Sequence, residues 1–510
     1  MRSPGGGDKD NAPPQPLDFS PPNESLHFNS QNFSITFDEW VQLDDIVNQL
    51  VVSPPLEKKP KVSIKKKTVF VNIDEALKPN TTYSFSFGEG IVDYTESNPA
   101  DNLRYVFSTG DKLDSLEVQG VVKDAFTNSP TKGVKVMLYD GYEDSLIVKS
   151  KPYYFGVTNE SGEFRIPYLR QGKFKVVALV DDNANYLADD GEKLGWFDDL
   201  VSPQVQGADS ARLELKISLP EPSEQYLVDY SRDSTAFIRI KLNRPPRDFS
   251  FEILDYPNAV GSYHYDVAKD SVYFWLSNEP KNTSFRLVVS DTEPLDTLPL
   301  IHYQVNRKVT YPLSLAAGRS FEAKNGVVLS GRRVLESIDT ALVKLSLDSL
   351  NLPYSATISE SDPRQMHIAA PFADGKNYTL NLLPNAVEAQ GNRTNDTLTF
   401  SMSAHKADHF GSVKLNFKNW PEDHAYILQV ENDKGKVINE FAIRGTQIVS
   451  MNRMLPSTYT LRIISDRNNN GKWDSGNYWK LQQPETVEYF PEPIVVRSNW
   501  SQEFEWLFVR

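Results

Sequence analysis

The sequence predicts an all-β chain of tandem β-sandwich domains, on three observations. Apolar and polar residues alternate over short runs, as in Phe33-Ser34-Ile35-Thr36-Phe37, and period two is that of a half-buried strand. The runs are punctuated by turn chemistry such as Lys78-Pro79-Asn80 and Gly88-Glu89-Gly90. Composition agrees: 33 Pro, 26 Gly, 23 Tyr and 27 Phe among 510 residues favour strands and turns over helices.

Taken in order, residues 1–22 hold Gly5-Gly6-Gly7 and several prolines, and read as a flexible tether. Residues 23–110 form a first sandwich, with strands at Phe33–Phe37, Val69–Ile73 and Tyr83–Phe87 and a brief helix between Asp38 and Leu50. Residues 111–220 form a second, from the runs "VQGVVKDAF", "VKVMLYD", "GEFRIPYL" and "KFKVVALVDDN". A third covers residues 221–308, with "AFIRIKL", "FSFEIL", "SVYFWLS" and "SFRLVVS". Residues 309–408 make a fourth, and residues 409–510 a fifth that closes on the alternating strand Phe504–Phe508. Each is about 100 residues, an ordinary size for a seven-stranded sandwich.

Charge and composition exclude some classes. Lysine plus arginine is 54 against 68 acidic residues, a net charge of −14. That balance argues against nucleic acid as a partner, because phosphate neutralisation needs clustered positive charge. No cysteine is present, so there is no disulfide, thiolate nucleophile or cysteine-ligated metal. No apolar run approaches the roughly 18 residues of a membrane-spanning helix. The opening "MRSPGGGDKDNAPPQP" is polar, unlike a secretory signal.

Internal similarity is informative. "DDNANYLADDG" from Asp181 and "DRNNNGKWDSG" from Asp466 both follow a hydrophobic strand. "KPNTTYSFSFGEGIVD" in the first sandwich pairs loosely with "DGKNYTLNLLPNAVEA" in the fourth. The chain therefore reads as two related pairs of modules around a central sandwich, with the fourth the weaker match.

"ITFDEWVQL", "LKPNTTYSFSFGEGIVD" and "YVFSTG" resemble the bacterial Ig-like domain of surface-layer type, common in exported Bacteroidota proteins. "GEFRIPYLRQGKFKVVALVDDNANY" resembles the transthyretin-like, carboxypeptidase-regulatory-like sandwich that follows it in such lipoproteins. The resemblance implies immunoglobulin-like folds for the first and, in degenerate form, the fourth domain. It implies transthyretin-like folds for the second and fifth. It also implies an outer-membrane lipoprotein on the periplasmic or cell-surface face, its tether following a lipidated Cys that this chain lacks. Asp-Ser/Thr-apolar triplets at Asp114, Asp144, Asp209, Asp270, Asp348 and Asp396 are similar to Bacteroidota O-glycosylation sites; the alternative is chance on a Ser- and Asp-rich surface.

Two loops are candidates for calcium. Asp181, Asn183, Asn185 and Asp189 stand at positions 1, 3, 5 and 9, with Glu192 at position 12. Alternate oxygen-bearing side chains in a tight loop converge on one point, which suits a hard cation. Asp466, Asn468, Asn470 and Asp474 repeat the spacing. The first loop has Tyr186 where the turn wants Gly; the second keeps Gly471 but has Asn477 at position 12. The competing reading is an Asx-rich hairpin turn, whose side chains cap backbone N–H groups.

Other clusters are weighed against structural roles. Lys58, Lys59, Lys61, Lys65, Lys66 and Lys67 could meet anionic headgroups, but a solvated hairpin tip is the commoner cause. Tyr263, Tyr265, Tyr273, Phe274 and Trp275 could stack on sugars, or fill a sandwich core. His405, Asp408 and His409 have metal-like proximity, though a linker explains them better. No hydrolase, Walker or dinucleotide fingerprint appears. The expected function is a non-enzymatic envelope lipoprotein, scaffold or subunit of an outer-membrane complex such as β-barrel assembly or secretion, with an integral β-barrel as partner. The alternatives are a surface glycan-binding module and a hydrolase with scattered carboxylates.

Overall fold

A computed structural model describes residues 12–100, 103–183, 185–205, 212–220, 224–232, 238–255, 260–266, 271–277, 284–301, 310–390 and 393–508. Nearly all regular structure in them is β, and the strands pair as tandem sandwiches. The chain divides into two compact units. The first holds residues 1–221, 424–427 and 462–489; the second holds 222–423, 428–461 and 490–510.

In the first unit, one sheet of the N-terminal sandwich runs Pro16–Ser20, Asn32–Phe37, Thr68–Asn72, Lys61–Lys65. A second sheet runs Val51–Ser53, Thr82–Ser86, Arg104–Ser108. The alternation seen in sequence becomes a core of Phe33, Ile35, Phe37, Val69, Val71 and Phe85, all at most 2% exposed. Part of the stretch expected as a tether is strand. Pro16–Ser20 pairs antiparallel with Asn32–Phe37 as an edge strand, where prolines are tolerated because one side needs no N–H donor. The helix expected between Asp38 and Leu50 is a single turn, Ile46–Gln49, because Val41–Leu43 pairs with Ile91–Asp93 instead.

The second sandwich packs the sheet of Glu163–Leu169, Leu116–Asp124 and Gln204–Val205 against that of Tyr154–Val157, Lys135–Tyr139, Lys175–Leu179 and Leu194–Trp196. Leu213–Ile217 joins the first of these sheets parallel to Leu116–Asp124.

In the second unit, the third sandwich pairs Leu227–Arg232, Ile238–Leu242, Ser271–Ser277 and Val260–Asp266 in one sheet. Its other sheet holds Phe249–Leu254, Ser284–Asp291 and Glu293–Ile301. The fourth repeats the first in topology. Val327–Ser330 with Gln365–Ala369 corresponds to Asn32–Phe37 with Thr68–Asn72, and Val343–Leu347, Asn377–Leu382, Leu398–Ala404 to the second sheet. A shared detail fixes the alignment: the Tyr83 hydroxyl accepts from Lys78 N at 2.9 Å, and the Tyr378 hydroxyl from Ala373 N at 2.7 Å. In the fifth, Gly411–Lys418 runs parallel to Ser501–Leu507, the same first-to-last pairing as in the second sandwich.

Candidate functional site

Both acidic loops lie in the first unit and share one hydrogen-bond plan. Asp181 leaves the strand Lys175–Leu179 with its side chain fully buried. Its Oδ1 accepts from Asn185 N at 3.1 Å and its Oδ2 from Tyr186 N at 2.9 Å. Asn183 Oδ1 accepts from Asn185 N at 3.0 Å. The amide nitrogens of Asn183 and Asn185 both donate to Asp189 Oδ2 at 2.7 Å. Glu192 spans the loop, accepting from Asp182 N and Asp189 N, each at 3.0 Å.

The second loop repeats this atom for atom. Asp466 accepts from Asn470 N and Gly471 N, both at 2.9 Å. Asn468 and Asn470 donate to Asp474 Oδ2 at 2.6 and 3.0 Å. The spanning carboxylate is Glu485, which accepts from Arg467 N at 2.7 Å and Asp474 N at 3.1 Å. Asn477 does not take the twelfth position: its side chain caps the turn Tyr478–Lys480, accepting from Lys480 N at 3.0 Å. Glu485 escaped the sequence reading because it comes back to the loop from beyond that turn. Tyr186 does the work of the missing glycine at φ 66°, beside Gly471 at 73°. Its ring holds the strained backbone in place, edge-on to Phe155 at 4.9 Å and under the Lys135 ammonium at 4.6 Å.

The loops differ in charge. Lys135 Nζ sits 2.6 Å from Asp181 Oδ2, so the first loop already holds a cation. Among the described residues no cation pairs with Asp466. Burial pushes the Glu485 carboxyl above its ordinary value; the Arg467 and Asp474 N–H groups oppose this, and the charges of Asp474 and Asp466 add to it. All oxygens are hard donors suited to calcium. Yet their lone pairs already take N–H groups, and among the described residues no three His, Asp or Glu side chains stand together as a metal shell. As they stand, both are self-satisfied Asx loops.

The other candidates fall as follows. Lys61 and Lys65 alternate along the edge strand, with Lys66 at the hairpin turn, and Lys61 pairs with Asp74 at 2.5 Å. Phe274 is fully buried, while Trp275 is 7% exposed and packs on Val334 of the fourth sandwich, so neither forms a sugar platform. The side chains of Tyr263 and Tyr265 lie outside the described residues. His405 and His409 stack at 4.3 Å, but Asp408 faces solvent. Of the glycosylation triplets, Ser349 and Thr397 are exposed, Ser271 is buried, and Asp209 and Asp270 lie outside the described residues.

No curated protein is significantly similar to the chain. Among solved structures, the chain resembles BcpA, the major pilin subunit of Bacillus cereus, at 8% identity over 78% of this chain and 99% of that one, with a TM-score of 0.14. It resembles the surface layer protein SbsC, domains 1–6, at 12% identity over 94% and 66%, with a TM-score of 0.15. A Bacteroides ovatus mixed-linkage glucan utilization locus protein, SGBP-B, matches at 10% identity over 76% and 96%, with a TM-score of 0.18. Superpositions this poor say nothing about what the chain does. Residues 10–109, which contain the N-terminal sandwich from its edge strand to its last strand, match the bacterial Ig-like domain family.

Proposed function

We propose that the protein is a non-enzymatic scaffold or partner-binding subunit of a bacterial envelope complex, exported and lipid-anchored at the outer membrane. The observation that carries this reading is a joint within the first unit. Residues 462–489 dock on the second sandwich, with Tyr478 (1% exposed) in a core shared with Met137, Tyr139, Ile147 and Trp196. Trp473 meets Phe126 at 4.9 Å, and Asn128 Nδ2 donates to Val487 O at 2.6 Å. Burial of this kind fixes domains that would otherwise move on linkers, and fixed sandwiches hold docking surfaces at set spacings. The bacterial Ig-like domain fits such a role. The sugar-platform alternative loses support with Trp275, which is committed to packing on the fourth sandwich.

Tagged protein purified from native membranes tests the proposal. Stoichiometric recovery with an integral β-barrel protein is the expected result. Recovery alone, under detergents that keep envelope complexes intact, would overturn it.

We also propose that calcium binds the Asp466 loop and not the Asp181 loop. The support is the uncompensated trio of Asp466, Asp474 and Glu485, against the ammonium already held by Asp181.

A further inference from the structure

The three-stranded sheet of the N-terminal sandwich has two faces. Val52, Phe85 and Tyr105 lie in register and point into the core. One residue along, Val51, Ser86 and Arg104 align on the opposite face, with Ser53 and Ser84 in the next row. That face forms one side of a cleft that stays open to solvent at its rim. It walls a cavity of about 1190 Å³ whose far side belongs to the second sandwich, including the cross-strand pair Gln119 and Arg165. The two sandwiches are pinned at one point of its wall, where the Ser53 hydroxyl donates to Phe155 O at 3.2 Å.

Five cationic side chains line this space: Arg104, Lys132, Lys135, Arg165 and Arg212. Four are neutralised. Lys132 pairs with Glu160 at 2.7 Å, Lys135 with Asp181 at 2.6 Å, Arg165 with Glu117 at 2.7 Å and Arg212 with Glu163 at 3.1 Å. Arg104 is the exception. Among the described residues no carboxylate pairs with it and no acceptor takes its N–H groups. Burial holds its guanidinium below the ordinary arginine value; the Tyr168 hydroxyl opposes this and the Arg165 charge adds to it. Its five donors reach the solvent of the cleft and take no protein acceptor, so they stand free for a ligand's oxygens.

We propose that this cavity binds an acidic saccharide, with Arg104 gripping its oxyanion through a forked pair of hydrogen bonds. Ser84, Ser86, Asn48 and Gln119 supply hydroxyl and amide partners for sugar hydroxyls on the two walls. A peptide is the poorer fit, because Phe155, Phe164 and Ile166 in the lining are each at most 4% exposed and belong to the cores. The apolar side chains left open in the lining are three small ones, Val51, Val157 and Pro167. The lining also carries exposed Glu89 and Asp182, which repel a dense polyanion. The site therefore suits a chain with isolated acidic groups, such as one uronate per disaccharide. This inference does not rest on the scaffold reading.

The test is calorimetric titration of the purified full chain with an alternating hexuronate–hexosamine tetrasaccharide. Three further probes accompany it: the carboxyl-reduced neutral form, a sulfated counterpart and a glutamate-containing peptide. Binding of the uronate form is expected to weaken at least tenfold in Arg104→Gln and with the neutral ligand. It should stay unchanged in Lys66→Gln, outside the cavity. Tighter binding of the sulfated form, lost in the same variant, would support the site with sulfate as the oxyanion. The melting temperature of Arg104→Gln should hold or rise, because the variant sheds an unpaired charge; a purely structural arginine would lower it. No binding of either acidic saccharide, equal binding by Arg104→Gln, or preference for the peptide would overturn the proposal.

Discussion

At the scale of single residues, the two acidic loops separate what spacing can tell from what it cannot. Asp181, Asn183, Asn185, Asp189 and Glu192 were legible because they lie within one loop, where alternate side chains converge by local geometry alone. Glu485 was not, since the chain leaves the loop, turns at Tyr478–Lys480 and only then brings the carboxylate back. Nor was the ion pair of Lys135 with Asp181, which depends on sheet register: Lys135 lies opposite Leu179, two residues before the aspartate. These additions set the first prediction. Millimolar calcium should raise the melting temperature of the wild type by mass action. Asp466→Asn should abolish the rise, and Asp181→Asn should leave it. A response lost in both variants, or in neither, would mean the charge argument is wrong. The same trio gives a pH prediction. Glu485 holds its proton more tightly folded than unfolded, so stability should fall as pH rises through the ordinary carboxylate range to the raised value. In Glu485→Gln that slope should flatten, measured by urea unfolding without calcium. An unchanged slope would place the titration elsewhere.

At the scale of elements, alternation located most strands, and misjudgements came where chemistry at one residue outweighed pattern. Pro16–Ser20 was hidden in a proline-rich stretch, but an edge strand needs donors on one side only. The lysines of Lys61–Lys65 read as a solvated tip; their place on the opposite edge explains them further, because charge on an edge strand discourages pairing with another chain. The close packing of first and last strands in the second sandwich turns on one glycine. A Cβ at Gly120 would meet Leu213 O at 2.2 Å and Phe164 Cε1 at 2.8 Å. Gly120→Ala must therefore push Leu213–Ile217 off its parallel partner, at a cost of about 1–3 kcal/mol. Amide exchange in Leu213–Ile217 should quicken while the N-terminal core at Phe33–Phe37 stays protected. Equal protection in both segments would show that the strand pair has slack the geometry does not suggest.

At the scale of the molecule, the repeats were visible in sequence, and the joint they make was not. The partners Asn128 and Val487, or Asp144 and Tyr478, are hundreds of residues apart, and no local period marks such a contact. One ring is central to how residues 462–489 sit on the second sandwich. Tyr478 lies edge-on to Trp196 at 5.4 Å, its hydroxyl donates to Asp144 O at 3.1 Å, and the Lys175 ammonium sits 5.2 Å from its centre. Truncating a buried aromatic of this size costs about 3–5 kcal/mol, whereas removing only the hydroxyl costs about 1 kcal/mol. Tyr478→Ala should therefore free residues 462–489: exchange across Asn477–Tyr489 should rise sharply and limited proteolysis should cut there. Tyr478→Phe should stay close to wild type. The strand pair Gly411–Lys418 and Ser501–Leu507, whose hydrogen bonds do not involve the joint, should keep its protection in both variants. If Tyr478→Ala exchanged like the wild type at Asn477–Tyr489, the packing of Trp473 and Val487 with Phe126, and polar contacts such as Gln483 with Trp196 O and Ser218 with Ser475 O, would have to hold the segment without the ring. The joint would then owe little to the Tyr478 ring, and the share of its rigidity assigned to that ring would lose its physical basis.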